Sequence, residues 1–232
     1  MRIAIHQPEF IPWLKFFDKM KRVDKYIIFD HVQFKKRYFE NRNQIKQEDS
    51  AVWLSIPVKT KGKYSQIINK VEIDNSSPWQ KKSWEKVRHC YLKSQYFKEY
   101  YEELENLFLS QKYDKLINFN LAFIEWFRRI LKIDTPMEYS SNMNVEKFKA
   151  SELVLEICLR TGAKEYLFGL SGKDYLKLDN FNAAGVKVIS QEFKHPKYKQ
   201  KGREFIPYLS TLDLIFNCGP ESHNILFNKS GY

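Results

Sequence analysis

The start of the chain holds the pattern that most restricts its fold. Two short apolar segments, Arg2–Ile5 and Lys25–Asp30, indicate strands. Large apolar residues recur between them at helical spacing: Trp13, Phe16, Phe17 and Met20. Pro12 stands just before this run, where proline suits the first turn of a helix. A strand, a helix and a second strand in so short a length predict a βαβ unit, which requires parallel strands and a right-handed crossover.

The rest of the chain extends this pattern. Further strands are predicted at Val52–Val58, Pro136–Ser140, Glu165–Phe168 and Gly185–Ser190, and helices at Ser151–Thr161 and Leu209–Phe216. Gly162 stands where glycine commonly ends a helix. Aromatic and aliphatic residues repeat at helical spacing over residues 78–131. The prediction is therefore one Rossmann-like α/β domain over residues 1–232, with a mainly parallel sheet and a central helical insert at about 78–131.

Composition limits the cellular setting. The three cysteines, Cys90, Cys158 and Cys218, are far apart and odd in number, which is typical of a reducing compartment. No apolar run is long enough to span a membrane, and the N-terminus does not resemble a signal peptide. We therefore expect a cytoplasmic protein. The net charge of +11 comes from Lys and Arg spread along the chain, which favours a solvated basic surface over a nucleic-acid footprint.

Several catalytic signatures are absent from the sequence. There is no HExxH, paired CxxC, GxSxG, P-loop or GxGxxG pattern. The sequence therefore predicts neither a metal site nor a cofactor. The Gly169–Gly172 segment (GLSG) indicates a tight turn after a strand, where Ser171 could contact a ligand, with Tyr175 close behind.

Polar residues follow the first predicted strand. In an open parallel sheet, ligands bind at the carboxyl ends of the strands. His6 and Gln7 stand at such an end, ahead of a helix N-terminus that would favour a phosphate or carboxylate. His6 could donate to a phosphoryl oxygen or act as a general base, and Trp13 could contact the substrate. The alternative is a histidine that only caps the strand.

The second predicted strand ends at Asp30, and a mixed aromatic and polar stretch follows it. Its candidate substrate contacts are Gln33, Lys35, Tyr38, Asn41 and Arg42. Aromatic rings can stack on a base or sugar, while amides and guanidinium groups bind polar edges. The alternative is a charged edge with anchoring aromatics.

These segments together resemble the WbqC-like protein family. The matching stretches are IHQPEFIPWLKFFDKM, YIIFDHVQFKKRYFENRNQIK, LSIPV, YLFGLSGKDYL, FNAAGVKVISQEFKHPKYKQ and FIPYLSTLDLIFNCG. They cover nearly the whole chain in the family's order. The sequence departs from the family pattern at Lys15, where a glycine is usual, so its first loop is bulkier.

The resemblance implies a role in O-antigen and other lipopolysaccharide or surface-polysaccharide biosynthesis. The implied activity is a transferase that attaches an amino-acid-derived acyl group to the amine of a nucleotide-linked amino sugar. The acyl donor could be an activated ester, an adenylate or an aminoacyl-tRNA. In this role His6 or Asp30 would be the base, and Gln7 and Asn41 would stabilise the oxyanion. The nucleotide carrier would be held by Lys35, Tyr38 and Arg42.

Two other functions remain open from the sequence. The strand, histidine-containing loop and helix loosely resemble nucleotidylyltransferases of the HIGH type, although the second histidine of that motif is absent. A non-catalytic module that binds a nucleotide sugar or RNA would also explain arginines interleaved with aromatics.

Overall fold

The computed structural model describes residues 1–169 and 175–228. The strands in chain order are β1 (Arg2–His6), β2 (Lys25–Ile28), β3 (Arg42–Gln47), β4 (Ser50–Ser55), β5 (Met137–Tyr139), β6 (Glu165–Phe168) and β7 (Lys187–Ser190). The α-helices are α1 (Leu14–Lys21), α2 (Trp79–Tyr91), α3 (Phe97–Leu109), α4 (Leu116–Ile130), α5 (Ala150–Arg160), α6 (Leu178–Ala183), α7 (Thr211–Cys218) and α8 (Ser222–Phe227). None of the helices in these ranges is long and apolar enough to cross a membrane.

The main sheet has five strands in the order β5-β2-β1-β6-β7. Every adjacent pair in it is parallel, with Ala4 opposite Tyr26 on one side of β1 and Ile3 opposite Tyr166 on the other. The chain builds outward from β1 in one direction and then restarts at β6 in the other, which is the strand order of a Rossmann-like sheet. The predicted α/β class and parallel sheet are confirmed.

The predicted strand at Val52–Val58 differs from the structure in its partner. It forms β4, which pairs antiparallel with β3 in a separate two-stranded sheet. β3 lies at the end of the mixed aromatic and polar stretch after Asp30, where no strand was predicted. The strand is difficult to recognise in its sequence, RNQIKQ, because two of its three buried residues are polar: Asn43 and Lys46, with Ile45 between them. Strand propensities favour β-branched and aromatic residues and disfavour Asn and Lys, so they do not predict a strand here.

The main sheet has a core on each face. Ala4 of β1 belongs to a large cluster with Phe16 of α1, Phe123 of α4 and Leu214 of α7. Its neighbours Ile3 and Ile5 belong to a second cluster with residues of α5 and α6. The three helices α2, α3 and α4 fall within the predicted insert, and their aromatic side chains belong to the same cluster as α1.

Helix boundaries agree in part with the sequence. α5 ends before Gly162, whose φ of +70° is the left-handed conformation that glycine adopts easily. α7 begins two residues later than expected, because the Ser210 side chain caps it by accepting a hydrogen bond from Leu212 N at 3.3 Å. The short helix α8 was not predicted.

Candidate functional site

A cavity of about 220 Å³ opens at the switch point of the main sheet, between β1 and β6, where the strand order reverses. β1 and β6 are neighbours, but the connections that follow them lead to opposite sides of the sheet. The loops therefore separate above the carboxyl ends of these two strands, which is where Rossmann-like sheets bind ligands. The cavity is lined by His6, Glu9, Trp13, Lys15, Phe16, Lys19, Tyr38, Phe39, Gly169 and Gln191.

The loop between β1 and α1 is held by buried amides. Asn120 Nδ2 donates to the carbonyl oxygen of Pro8 at 2.9 Å, and Asn43 Nδ2 donates to that of Ile11 at 3.0 Å. Ile11 has a φ of +36°, a strained conformation for a β-branched residue. Such strain persists only where the surroundings enforce it, and it concentrates at functional sites. This loop is therefore preorganised before any ligand arrives.

His6 presents one ring nitrogen to the cavity. Its Nδ1 donates to the Gln7 carbonyl oxygen at 3.0 Å, because a carbonyl can only accept. The neutral ring then carries its lone pair on Nε2, which lies 3.8 Å from Glu9 Oε1. Burial, and then the nearby Lys19 charge, lower the pKa of His6 to about 3. The ring is therefore neutral at physiological pH, with Nε2 as a hydrogen-bond acceptor.

Glu9 is a buried carboxyl group, 5% exposed. Burial raises its pKa to about 8; Lys19 opposes that rise and Glu40 adds to it. Its Oε2 atom makes no hydrogen bond within the described part of the chain. A side chain that titrates near neutral pH and faces a cavity can exchange a proton with a ligand.

Lys19 brings a buried amine into the same cavity. It lies on α1, is 4% exposed, and burial lowers its pKa to about 8. Gly169, at the end of β6, makes room for it: a Cβ atom there would lie 3.2 Å from Lys19 Nζ. The loop after β1 therefore supplies the Glu9 carboxyl group to the cavity. The absence of a side chain at Gly169, after β6, leaves room for the Lys19 amine.

Gln191 closes the cavity from the end of β7. Its Nε2 donates to the Lys15 carbonyl oxygen at 3.0 Å and to Asp18 Oδ2 at 2.7 Å. This fixes the amide so that Oε1, which has no protein donor in the described residues, remains available. Unpaired buried acceptors are uncommon and indicate a missing partner.

Asp30 lies at the same edge of the sheet, as predicted, but its carboxylate is fully engaged. It is 3% exposed and accepts from Ser140 Oγ, Ser141 N, Ser141 Oγ and Asn69 Nδ2 at 2.6–3.2 Å. These contacts join the end of β2 to the end of β5. The geometry favours a structural role for Asp30.

Some of the other predicted contacts line a second cavity of about 420 Å³. Gln33 and Lys35 are part of its wall, together with Lys36, Lys63 and Tyr64. Tyr38 lines the first cavity instead, and Lys35 Nζ lies 5.4 Å from the centre of its ring. The Lys35–Tyr38 pair thus stands between the two cavities. Trp13 also lines the first cavity.

The remaining predicted contacts lie elsewhere. Asn41 is buried and donates to the Ile56 carbonyl oxygen at 3.0 Å, and Arg42 stacks on Trp53 with 4.1 Å between its Cζ and the ring centre. Gln7 contributes its backbone carbonyl to His6. Tyr175 lies near Tyr166, whose side chain belongs to the core beside α5 and α6. Ser171 is outside the described residues.

Three residues of the cavity were not predicted from the sequence: Glu9, Lys19 and Gln191. The apolar residues Leu14, Phe16, Phe17 and Met20 occupy one side of α1, and Lys19 lies on the other side with Lys15 and Asp18. Helical spacing alone therefore predicts an exposed lysine at this position. Among the described residues, no three His, Cys, Asp or Glu side chains are grouped so that they could hold a metal ion.

The fold and this cavity define a Rossmann-like protein with an ionisable site at its switch point. The chain belongs to the WbqC-like protein family, which it matches over residues 7–225. It is also similar to "Uncharacterized protein Rv1507c" of Mycobacterium tuberculosis (strain ATCC 25618 / H37Rv), with 30% identity over 226 residues, 97% of each chain. No solved structure matches the chain.

Proposed function

We propose that the protein is a transferase that attaches an acyl group, derived from an amino acid, to the amine of a nucleotide-linked amino sugar in surface-polysaccharide biosynthesis. The observation that carries the proposal is the grouping of His6, Glu9 and Lys19, three ionisable side chains, around one cavity at the switch point. Buried groups with displaced pKa values in a cleft are characteristic of sites that transfer protons. Family membership supports the substrate class.

Glu9 is the proposed proton acceptor. The amine nitrogen forms a bond to the acyl carbon while the bond from that carbon to its leaving group breaks. The proton lost by the nitrogen passes to the ionised Glu9 carboxylate and from there to the leaving group. With a pKa of about 8, about a tenth of Glu9 is ionised at pH 7, so turnover should increase as the pH rises toward 8.

His6 has a different proposed role from the general base that the sequence suggested. A pKa of about 3 makes its imidazole a weak base. Its Nε2 lone pair can still accept a hydrogen bond from the sugar amine and orient it toward the acyl carbon. Orientation of this kind is a substantial part of the rate enhancement of group transfer.

The size of the cavity restricts which part of the substrate enters. At about 220 Å³ it is smaller than the roughly 300–1,000 Å³ of typical ligand pockets. In this proposal only the reacting end lies inside, and the nucleotide extends past Trp13 and Tyr38. The second cavity, with Lys35, Lys36 and Lys63 in its wall, would receive its phosphates.

The experiment combines a binding panel with turnover. Wild-type protein is screened by thermal shift against dTDP-, UDP- and GDP-linked amino sugars, and acyl donors are then added to the sugars that bind. Glu9→Gln is expected to lower turnover by about 10²–10⁴-fold while it still binds the sugar. Glu85→Gln, an exposed change on α2, is the matched control and should retain wild-type turnover.

Two results would count against the proposal. One is the absence of any thermal shift across the sugar panel. The other is wild-type turnover by Glu9→Gln, which would remove the proton acceptor. Release of pyrophosphate from a nucleoside triphosphate without an acyl product would favour nucleotidyl transfer instead.

A further inference from the structure

Lys19 is a buried cation that forms no ion pair within residues 1–169 and 175–228. In the part of the chain that the structure describes, its Nζ makes no hydrogen bond and has no carboxylate within ion-pair distance. Burying an unpaired ammonium is costly, and buried charges in folded proteins are normally paired. Such a cost is retained where a ligand supplies the missing charge.

The groups that face Lys19 do not neutralise it. They are Glu9, Asp18, Lys15 and His6. Glu9 has a pKa of about 8 and is mostly uncharged at pH 7. Asp18 already binds Arg22 Nη2 at 3.0 Å and Gln191 Nε2 at 2.7 Å. Lys15 adds positive charge and His6 is neutral, so the side chains around the cavity carry an excess of positive charge.

The neighbouring backbone leaves the ammonium accessible to a ligand in the cavity. Gly169 follows β6 directly, and even a methyl group there would lie only 3.2 Å from Nζ. The Gln191 amide is held with its NH₂ group turned toward Lys15 and Asp18. Lys19 can therefore direct its protons toward a bound group.

We infer that Lys19 anchors an anionic oxygen group of the ligand, a phosphate or a carboxylate, inside the cavity at the end of β1. Charge-assisted hydrogen bonds from Nζ to that group replace the missing ion pair. The inference does not depend on acyl transfer, because anion binding requires no turnover. If the transferase proposal is correct, the nucleotide phosphates lie in the second cavity, and the group at Lys19 is a carboxylate oxygen next to the reacting amine.

The test measures binding of inorganic phosphate and of acetate by calorimetry at pH 7. The variants are wild type, Lys19→Met and Lys21→Met, the last being an exposed lysine on the same helix. Lys19→Met should bind its anion at least tenfold more weakly, and Lys21→Met should stay within about twofold of wild type. Comparison of phosphate with acetate identifies which oxyanion the site prefers.

The pH dependence provides an independent readout. An anion beside Lys19 raises the pKa of its ammonium above the free value of about 8, so binding takes up protons near pH 8. Affinity should be highest below pH 8 and fall as the pH rises above it. Calorimetry at pH 8 in two buffers of different ionisation heat measures the uptake, which Lys19→Met should reduce.

Gly169→Ala serves as the second variant if Lys19→Met does not fold. Its methyl group displaces Nζ by a few tenths of an ångström, and we expect severalfold weaker anion binding. The inference is overturned if wild-type protein binds neither anion, or if neither variant weakens binding. The inference is also overturned if Lys35→Met loses phosphate binding while Lys19→Met keeps it. That result would place the anion in the second cavity. Anion binding without any acyl transfer would leave this inference standing and remove the transferase proposal alone.

Discussion

The carboxyl ends of β1 and β2 lie side by side at one edge of the sheet, yet the acidic residues that follow them differ in their hydrogen bonding. Asp30, after β2, is surrounded by donors from Ser140, Ser141 and Asn69. Glu9, after β1, is equally buried but keeps an oxygen without a donor, and it faces Lys19 across a cavity. One carboxyl group stabilises the fold, and the other is available to a ligand.

The difference shows that a position at a strand's carboxyl end is not sufficient for a functional role. Both acids satisfy the rule that ligands bind outside the carboxyl ends of parallel strands. What separates them is whether the protein already supplies their partners. A carboxyl group whose hydrogen bonds are all made within the protein has no capacity left to bind a substrate. A buried carboxyl group that lacks those bonds lowers the stability of the fold, and a functional role explains why it is retained.

The largest expected difference is in the stability of matched amide substitutions. Asp30→Asn replaces an acceptor oxygen with an NH₂ group that faces donors, and we expect a loss of about 3 kcal/mol in the free energy of unfolding. Glu9→Gln should be as stable as wild type or more stable at pH 7, because it removes a buried ionisable group. Urea denaturation of both variants measures this. Equal losses in the two variants would remove the distinction between the sites.

A smaller effect should appear in the pH dependence of stability. The pKa of Glu9 is raised from an ordinary 4.5 to about 8, so between these values the folded protein holds a proton that the unfolded chain has released. Wild type therefore loses stability as the pH rises through this window, by up to about 1.4 kcal/mol per pH unit. Glu9→Gln does not lose stability in this way. Its free energy of unfolding should therefore exceed that of wild type by an amount that grows from pH 5 to 8.

The control for this series is Glu85→Gln, whose difference from wild type should stay constant over the same range. His6 titrates in both proteins and so cancels from the comparison. A difference between Glu9→Gln and wild type that does not change with pH would mean that Glu9 is not held protonated.

Much of the fold was predictable because its signals are local. The spacing of Phe16, Phe17 and Met20 between two apolar segments predicted β1-α1-β2, and Gly162 predicted the end of α5. β3 was missed because its inward positions include Asn43, whose amide serves a loop far away in the sequence. A partner of that kind cannot be recognised from local pattern.

The cavity lies where the strand-end rule predicts a site, but only some of its lining residues were predicted. The rule selected His6, which lines the cavity. The same rule selected Asp30, because a sequence does not show that Ser140 and Ser141 will meet it. Glu9 and Lys19 look like ordinary surface residues in the sequence, and their significance comes from burial, a property of the assembled core.

The most direct test of this contrast is the titration of the Glu9 carboxyl group by ¹³C NMR, with Glu9→Gln used to assign its resonance. Burial of the Glu9 carboxyl group predicts a midpoint near pH 8, far above that of an ordinary glutamate. Lys19→Met should raise the midpoint further, because the Lys19 charge favours the ionised carboxylate. A Glu9 midpoint near 4.5 in the wild-type protein would contradict this prediction, because the carboxyl group would then behave as a solvated one.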